Sequence, residues 1–387
     1  MWFKHLHLYR LHDVAEILGL ERLEEALSEN AYRPLGGSEA RRCGWVPPAG
    51  RNGSQLCHEL QGHRLLTMLR QERILPASVV REEVEERVEA IEAEEKRKLR
   101  RQEKLTLKEQ VYEELLPRAF VRSQKVDVWW DTKRSLIGIN TSSRKRAEES
   151  LDLLRESLGS LKVTPLATHS LPMRAMTTWL GDPGARPEDL AIGDTVELKA
   201  KGDDGVVRAR QLDLDTDEVQ QLLESGRQAS KLALAIEGRL SFVLHDDLTL
   251  KSLRFDDALI DEAGQADDGD DALVRLETDF LLMAQALASC VERLIAWLGG
   301  EAEALPAGGP SLAGEASAAP GTDEPDPLLA EVRGFVVESG KASISAVQRK
   351  FKLGYNRAAR LVEALERQGV VAPMDSSGTR KVLEEVS

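Results

Sequence analysis

"KVDVWWDTKRSLIGINTS" occupies residues 125–142, and its reading sets the fold class. "KVDVWWD" and "SLIGINTS" are both strand-like and flank a turn at Thr132–Arg134. Upstream, "WFKHLHLYRL" alternates as a strand does, which places Phe3, His5, His7 and Tyr9 on one side. Downstream, "LSFVLHD" and "LTLKSLRF" predict a further hairpin around Asp246–Asp247. Helical patterns separate these strands: "DVAEILGLERLEEALSEN", "RKRAEESLDLLRESLG", "TDEVQQLLESGRQ" and "LVRLETDFLLMAQALASCVERLIAWLG". Strand and helix do not alternate with a regular period, so the pattern predicts an α+β fold rather than a doubly wound sheet. No solenoid or propeller repeat is present in the sequence.

Composition narrows the class. The chain has 387 residues, 42% of them hydrophobic and 30% charged, with a formal net charge of −14. Such a surplus of negative charge opposes general attraction to nucleic acid, so any such contact must come from local basic patches. Cys43, Cys57 and Cys290 are few and odd in number, which points to free thiols in a reducing compartment. The N-terminal residues lack the pattern of a signal peptide, and no run approaches the ~18 apolar residues of a membrane span. The expectation is a cytoplasmic protein without a membrane partner.

After "ERLIAWLGG" the composition changes. Residues 301–325, "EAEALPAGGPSLAGEASAAPGTDEP", hold too little large apolar surface to offset chain entropy and predict a flexible linker. A chain of this length has an end-to-end distance of about 25–30 Å. It divides a body, residues 1–300, from a tail, residues 326–387. Within the body the longest helical stretch is Arg81–Pro117, whose first part is dominated by glutamates. From Lys96 to Lys108 it holds Lys96, Arg97, Lys98, Arg100, Arg101, Lys104 and Lys108 against the single acid Glu103. Two readings apply: a solvated helix with acids toward its start and bases after them, as the macrodipole favours, or a phosphate-facing patch.

The tail predicts three helices and a β-hairpin, the order of a winged helix. Asp326 and Pro327 suit the first helix start and Gly340 its stop. "ASISAVQRKFKLG" adds a second helix with Ile344, Val347 and Phe351 on its apolar side, and "VVAPMDSSGTRKVLEE" reads as two short strands. Helical geometry sorts "YNRAARLVEALERQG", residues 355–369, into two faces. Ala358, Leu361, Val362 and Leu365 face the core, whereas Asn356, Arg357, Arg360, Glu363 and Arg367 face out. Asn pairs bidentately with adenine and Arg with guanine, so base readout is chemically available to Asn356, Arg357 and Arg360. Arg349, Lys350, Lys352, Arg380 and Lys381 suit phosphates. The other reading is a small helical interaction module with a charged outer face.

The words "SISAVQRKFKLGYNRAARLVE" and "QGVV" resemble the C-terminal gamma domain of the bacterial DNA translocase FtsK. That resemblance implies a winged helix that reads short, polar, G-rich orienting sequences and contacts the XerD recombinase, with Asn356, Arg357 and Arg360 as readers. Nothing upstream resembles the motor, and "ESGKAS" does not satisfy the phosphate-loop pattern. The body resembles RdgC, a nucleoid-associated recombination regulator, through "GWVPPAG", "RILPASVV", "LLPRAFVRSQ", "LLRESLGSLKVTPL" and "SKLALAIEGRLSFVLHDDLTLKSLRF". It implies a mixed α/β protomer that dimerises into a ring. The resemblance also implies duplex DNA threaded through that ring with little sequence preference, and restraint of RecA activity. On that view Lys96, Arg97, Lys98, Arg100, Arg101 and Lys104 line the ring's lumen, with Arg118, Arg122, Arg144, Lys145 and Arg146 as further candidates. Phe120 matches a phenylalanine at the dimer's tip contact, or is a core aromatic; the second tip element falls near Arg208 and Arg210.

No catalytic residues or cofactor are read. His5 and His7 form an H-x-H pair, and Cys57, His58 and His63 lie close together in sequence, but no third ligand of convincing spacing completes a metal site, which favours structural histidines. Asp127, Asp131 and Lys133 are faintly nuclease-like, but Lys133 sits in a turn. Cys43 lacks a base partner nearby in sequence. The leading function is a non-enzymatic DNA-binding homodimer. The rivals are an FtsK mimic that engages XerD or blocks the translocase, and a metal-dependent nuclease.

Overall fold

The computed structural model describes residues 2–12, 19–200, 205–265, 272–302, 328–339, 350–351, 361–362, 365–366, 370–372 and 382–383. The chain divides into two units, 1–309 and 310–387. The first runs through β1 (His5–Leu11), α1 (Leu20–Glu29), β2 (Arg41–Val46), β3 (Cys57–Leu60) and β4 (His63–Ile74). A helical pair follows, α2 (Ala77–Glu95) and α3 (Arg101–Leu115). Next come β5 (Phe120–Asp131), β6 (Leu136–Ile139), α4 (Arg144–Leu158), β7 (Val163–Pro165) and α5 (Pro172–Gly181). Then follow β8 (Leu190–Lys199), β9 (Val206–Arg210), α6 (Asp217–Glu224), β10 (Gln228–Ile236), β11 (Leu240–His245) and β12 (Leu250–Phe255). The unit closes with α7 (Asp257–Gln265) and α8 (Ala272–Trp297). The fold is α+β, as the sequence pattern predicts.

All twelve strands join one antiparallel sheet in the order β2-β4-β5-β6-β1-β12-β11-β10-β8-β9, with β3 on β4 and β7 on β1. The β5–β6 hairpin at its middle shows how the local sequence sets the packing. Asp131 closes the turn, its Oδ1 accepting from the N–H groups of Lys133 and Arg134 at 3.0 Å each. Trp129 stands directly opposite Gly138. A Cβ on Gly138 would lie 2.8 Å from the Trp129 ring and 2.6 Å from Leu6, so only glycine leaves room for both side chains.

Two apolar cores form on the two sides of this sheet. On one side Leu6, Leu8, Trp129, Leu232, Leu244 and Leu250 pack against Met176 and Trp179 of α5 and Phe280, Leu287 and Val291 of α8. On the other, Tyr9, Leu11, Val128, Trp130 and Ile139 pack against Leu23 and Leu27 of α1 and Leu151 and Leu154 of α4. The second core stops at β1. Beyond it the same side of β12, β11, β10, β8 and β9 bears no apolar core among the described residues.

Three expectations change. Phe3 packs with Leu6 and Leu8, whereas Tyr9 belongs to the opposite core; the strand starts only at His5, so Phe3 does not share a side with His5, His7 and Tyr9. The stretch Arg81–Pro117 is not one helix. Lys96 adopts a left-handed conformation (φ 53°), and α3 restarts at Arg101 with Glu103 bonding back to the Arg100 N–H at 2.7 Å. Folding back buries Val80, Val88 and Val111 and pairs Arg87 with Glu114 at 2.8 Å, which one solvated helix could not do. Finally, Leu273–Trp297 is long and apolar enough to cross a membrane by length and composition, with a mean hydropathy of 1.4, contrary to the expectation that no run comes near one. Half of that window is buried, against the sheet. Of the first predicted helix, residues 13–18 lie outside the described residues.

The described part of the second unit includes α9 (Leu329–Ser339). Val332 and Val336 of α9 are buried with Leu361, Val362, Leu365, Val370 and Val371. Leu361, Val362 and Leu365 thus face the core, as helical geometry requires, and Val371 pairs antiparallel with Val382.

Candidate nucleic-acid interface

In the second unit Lys350 is exposed on a helical turn, its Nζ 5.8 Å from the centre of the Phe335 ring, which in turn meets Phe351 edge-on at 5.7 Å. Asn356, Arg357, Arg360, Arg349, Lys352, Arg380 and Lys381 lie outside the described residues, as do Ala358, Pro327, Gly340 and linker residues 303–325. Glu301 and Ala302, where the sequence predicts the start of the linker, bond to the body: Glu301 pairs with Arg10, and the Ala302 N–H donates to Ala167 at 3.0 Å.

The six lumen candidates gather at the bend between α2 and α3. Half of them are already engaged by acids. Arg97 bonds Glu103 at 2.7 Å and Glu95 at 2.6 Å, Lys98 bonds Glu92 at 2.7 Å, and Lys104 reaches the same Glu92 at 3.3 Å. Those bonds hold the Glu92 and Glu103 carboxyls down at about 2, so both stay charged and keep their cations. Lys96, Arg100 and Arg101 make no ion pair among the described residues. Of the further candidates, Arg122 is paired with Glu72 and Arg144 lies 3.9 Å from Glu148.

Phe120 opens β5 opposite Ile74 and is 87% exposed, so within the protomer it is not a core aromatic. Ile74 and Val121 beside it are also exposed, giving an apolar end to the β4–β5 ribbon.

The uncovered side of the sheet holds cations that sequence reasoning missed or placed differently. Strand register fixes who shares it. One row runs from His7 past Thr249 and His245 to Lys231, Glu197 and Arg208. A second runs from His5 to Lys251, Val243 and Ala233, and a third from Arg254 to Ser241 and Ala235. Arg210 stands opposite Thr195, and Lys199 opposite Val206, on the same side. The floor is small side chains, and the cations stand around it. From β12 to β9 it crosses four strand spacings, about 19 Å.

Two bulges make this arrangement. In β12 the four residues Lys251 to Arg254 span the three from Val243 to Ser241, with Ser252 at φ 52°. Strict alternation would put Lys251 and Arg254 on opposite sides; the extra residue brings both out while Leu250, Leu253 and Phe255 stay in the core. Ser230 plays the same part in β10 between Ala229 and Lys231. No pattern of apolar residues announces either bulge, though a Lys–Arg spacing of three in a strand is a signal worth testing.

Within this face Glu197 is buried and accepts from Arg208 Nε at 2.7 Å, Lys231 Nζ at 2.8 Å and Ser230 Oγ at 2.9 Å. Burial alone would raise its pKa; the three bonds override that and hold it at about 2. Lys199 pairs with Asp246 at 3.2 Å. Lys251, Arg210 and Arg254 make no ion pair among the described residues and are available to an external anion.

The nuclease-like trio does not converge. Asp127 accepts from Thr67 Oγ1 at 2.8 Å, and Asp131 is fully buried, both its oxygens taken by the turn and by Arg134. Four residues apart on one strand, the two carboxylates are separated by about 13 Å, too far to share a metal. Among the described residues no group of three His, Cys, Asp or Glu could hold a metal ion. Burial raises the Cys43 thiol's pKa, and pushes those of Cys57 and Cys290 up to about 12.

These features define a class: an α+β protein with one cation-bearing, uncovered sheet face, joined to a small helical unit with its own core. Residues 1–301 match the family model described as "Putative exonuclease, RdgC", and residues 323–385 match the Ftsk gamma domain. The chain belongs to the RdgC family and carries an Ftsk gamma domain after it. It is 39% identical over 305 residues to the recombination-associated protein RdgC of Sodalis glossinidius, covering 78% of this chain and 98% of that one. The protein of the same name from Aeromonas hydrophila subsp. hydrophila is 40% identical over 308 residues, 79% of this chain and all of the relative. That of Yersinia pestis is 39% identical over 304 residues, 78% and 99%.

Proposed function

We propose that this chain is a non-enzymatic, nucleoid-associated protein that binds duplex DNA through its body and acts in recombination by restraining RecA. The uncovered sheet face carries the reading: Lys251, Arg210 and Arg254, without an ion pair among the described residues, stand around a floor of small side chains, suited to a phosphate backbone. The relatives' name, recombination-associated protein, supports the process. Two protomers close a ring around the duplex, and each tail brings a winged helix whose Asn356, Arg357 and Arg360 read G-rich orienting sequences. The tether raises the winged helix's local concentration on the same DNA. Binding of a random duplex should fall about 10³–10⁵-fold between 50 and 200 mM salt if 6–10 phosphates are neutralised. A flat response, measured by fluorescence anisotropy, overturns the reading.

The family's description as an exonuclease supplies a second reading with its own check. Duplex and single-stranded DNA left intact by the purified chain with Mg²⁺ or Mn²⁺ excludes it. The dimer has a check as well. Phe120→Ala should leave protomer unfolding within about 0.5 kcal/mol of the parent, since the ring is exposed. Dimer dissociation, read by sedimentation equilibrium, should become about 10-fold easier or more, because burying a Phe contributes about 1.5–3 kcal/mol. Unchanged dimerisation removes Phe120 from the contact.

A further inference from the structure

Three histidines stand among the cations of the uncovered face. His5 lies opposite Lys251, and His245 opposite Lys231. His7 is buried; its Nδ1 meets Thr249 Oγ1 at 3.3 Å while its Nε2, closed off from solvent, has no partner among the described residues. The Nδ1 of His5 is likewise closed off and unpartnered. His5 and His7 are two residues apart on one strand, so their rings stand side by side about 7 Å apart. Burial disfavours the charged form of such rings, so each imidazolium needs an anion close by.

The charges around the rings come from β1, β10, the β11–β12 turn, β12 and α4. His7 faces Asp247 in the β11–β12 turn, Lys251 of β12, Arg144 of α4 and His5. His5 faces Lys251 and Lys4, and His245 faces Lys251, Lys231, Asp247 and Asp246. The first turn of α4 holds Arg144, Lys145 and Arg146 with no acid, where the helix dipole disfavours cations. Lys231 is held by Glu197 and Arg144 lies 3.9 Å from Glu148, which leaves Lys251, common to all three rings, without an ion pair among the described residues.

We propose that His5, His7 and His245, set around Lys251, form a proton-linked phosphodiester site, in which a phosphate seated on that lysine draws protons onto the rings. This rests on the reading that the face binds DNA. Without an anion, burial is the main cause that lowers all three histidine pKa values; Lys251 adds to it, Asp247 opposes it at His7 and His245, and His245 falls to about 4. A phosphate cancels the lysine contribution and favours the imidazolium. Each ring whose pKa is higher in the complex takes up a proton on binding. Affinity therefore rises as pH falls from the bound-state value toward the free one, and is unaffected above the bound-state value. No covalent step is involved; the proton comes from solvent.

The test uses the full-length protein with a random 20-base-pair duplex, and in a second arm with inorganic phosphate alone. Isothermal titration in two buffers of different ionisation enthalpy counts protons taken up. Histidine C2 hydrogen exchange, read by mass spectrometry, follows each ring. The expected result is proton uptake at pH 5, about tenfold tighter duplex binding at pH 5 than at pH 7.5, and titration midpoints of His5 and His245 raised by duplex. The double variant His5→Gln and His245→Gln, which leaves buried His7 in place, should lose most of the pH dependence. A response to inorganic phosphate as well identifies a free-anion site; a response to duplex alone identifies the backbone as the source. Equal pH dependence in parent and double variant overturns the proposal, because titration elsewhere then accounts for it. If reversing Lys251, Arg210 and Arg254 leaves duplex binding unchanged, the underlying face reading fails instead.

Discussion

Changing Asn356, Arg357 and Arg360 together to alanine is expected to abolish preference for a G-rich orienting site while leaving sequence-independent binding in place. Bidentate base contacts contribute about 1–3 kcal/mol of discrimination each, so three in one helix should lower the specific-to-random affinity ratio at least about 100-fold. Alanine favours helix, and the buried side of the segment, Leu361, Val362 and Leu365, is untouched, so the unit should keep its core. Footprinting the parent and the variant on duplexes with and without the site reads the outcome directly. Preference that survives the triple change means this helix does not read DNA. A parent without preference leaves the rival reading, capture of XerD, to be checked by direct binding to purified recombinase, with Lys350 and the other flanking cations as the surface to vary.

Legibility in the sequence follows the range of the interaction. The β5–β6 hairpin was readable because its determinants, Asp131 closing the turn and Gly138 beneath Trp129, lie within ten residues of one another. The core side of the tail helix was equally readable from its period. The break after Glu95 was not, because no Gly or Pro marks it: Lys96 itself takes the left-handed conformation, and the reward comes from Val80 and Val88 meeting Val111 after the chain turns back. That same fold-back places glutamates on Arg97, Lys98 and Lys104, so a run rich in bases becomes a largely self-neutralised bend. Conversely, the face where cations remain free depends on a bulge at Ser252 and on pairings between residues far apart in the chain. Charge counting along the sequence could not see it. The family resemblance supplied the body and tail as modules, and the arrangement of charge on the body came only with the register of the sheet.

Reversing the free cations of the uncovered face should therefore matter more than removing the basic run at the α2–α3 bend. Lys251→Glu, Arg254→Glu and Arg210→Glu together are expected to weaken random-duplex binding about 100- to 1000-fold near 0.1 M salt, taking about 1 kcal/mol or more for each charge-assisted bond removed. The plot of log affinity against log salt should also become shallower by about 0.9 for each phosphate that is no longer neutralised. None of the three is buried or holds an ion pair among the described residues, so thermal stability should change little. The matched variant Arg97→Gln, Lys98→Gln and Lys104→Gln should weaken binding less than about tenfold, since each cation must first leave a glutamate before it can serve a phosphate. A reversed ranking would return the DNA path to the helical bend. It would also mean that DNA draws Glu92 and Glu103 away from partners that hold both carboxyls at about 2, a rearrangement that should show as faster amide exchange in α2 and α3 on binding.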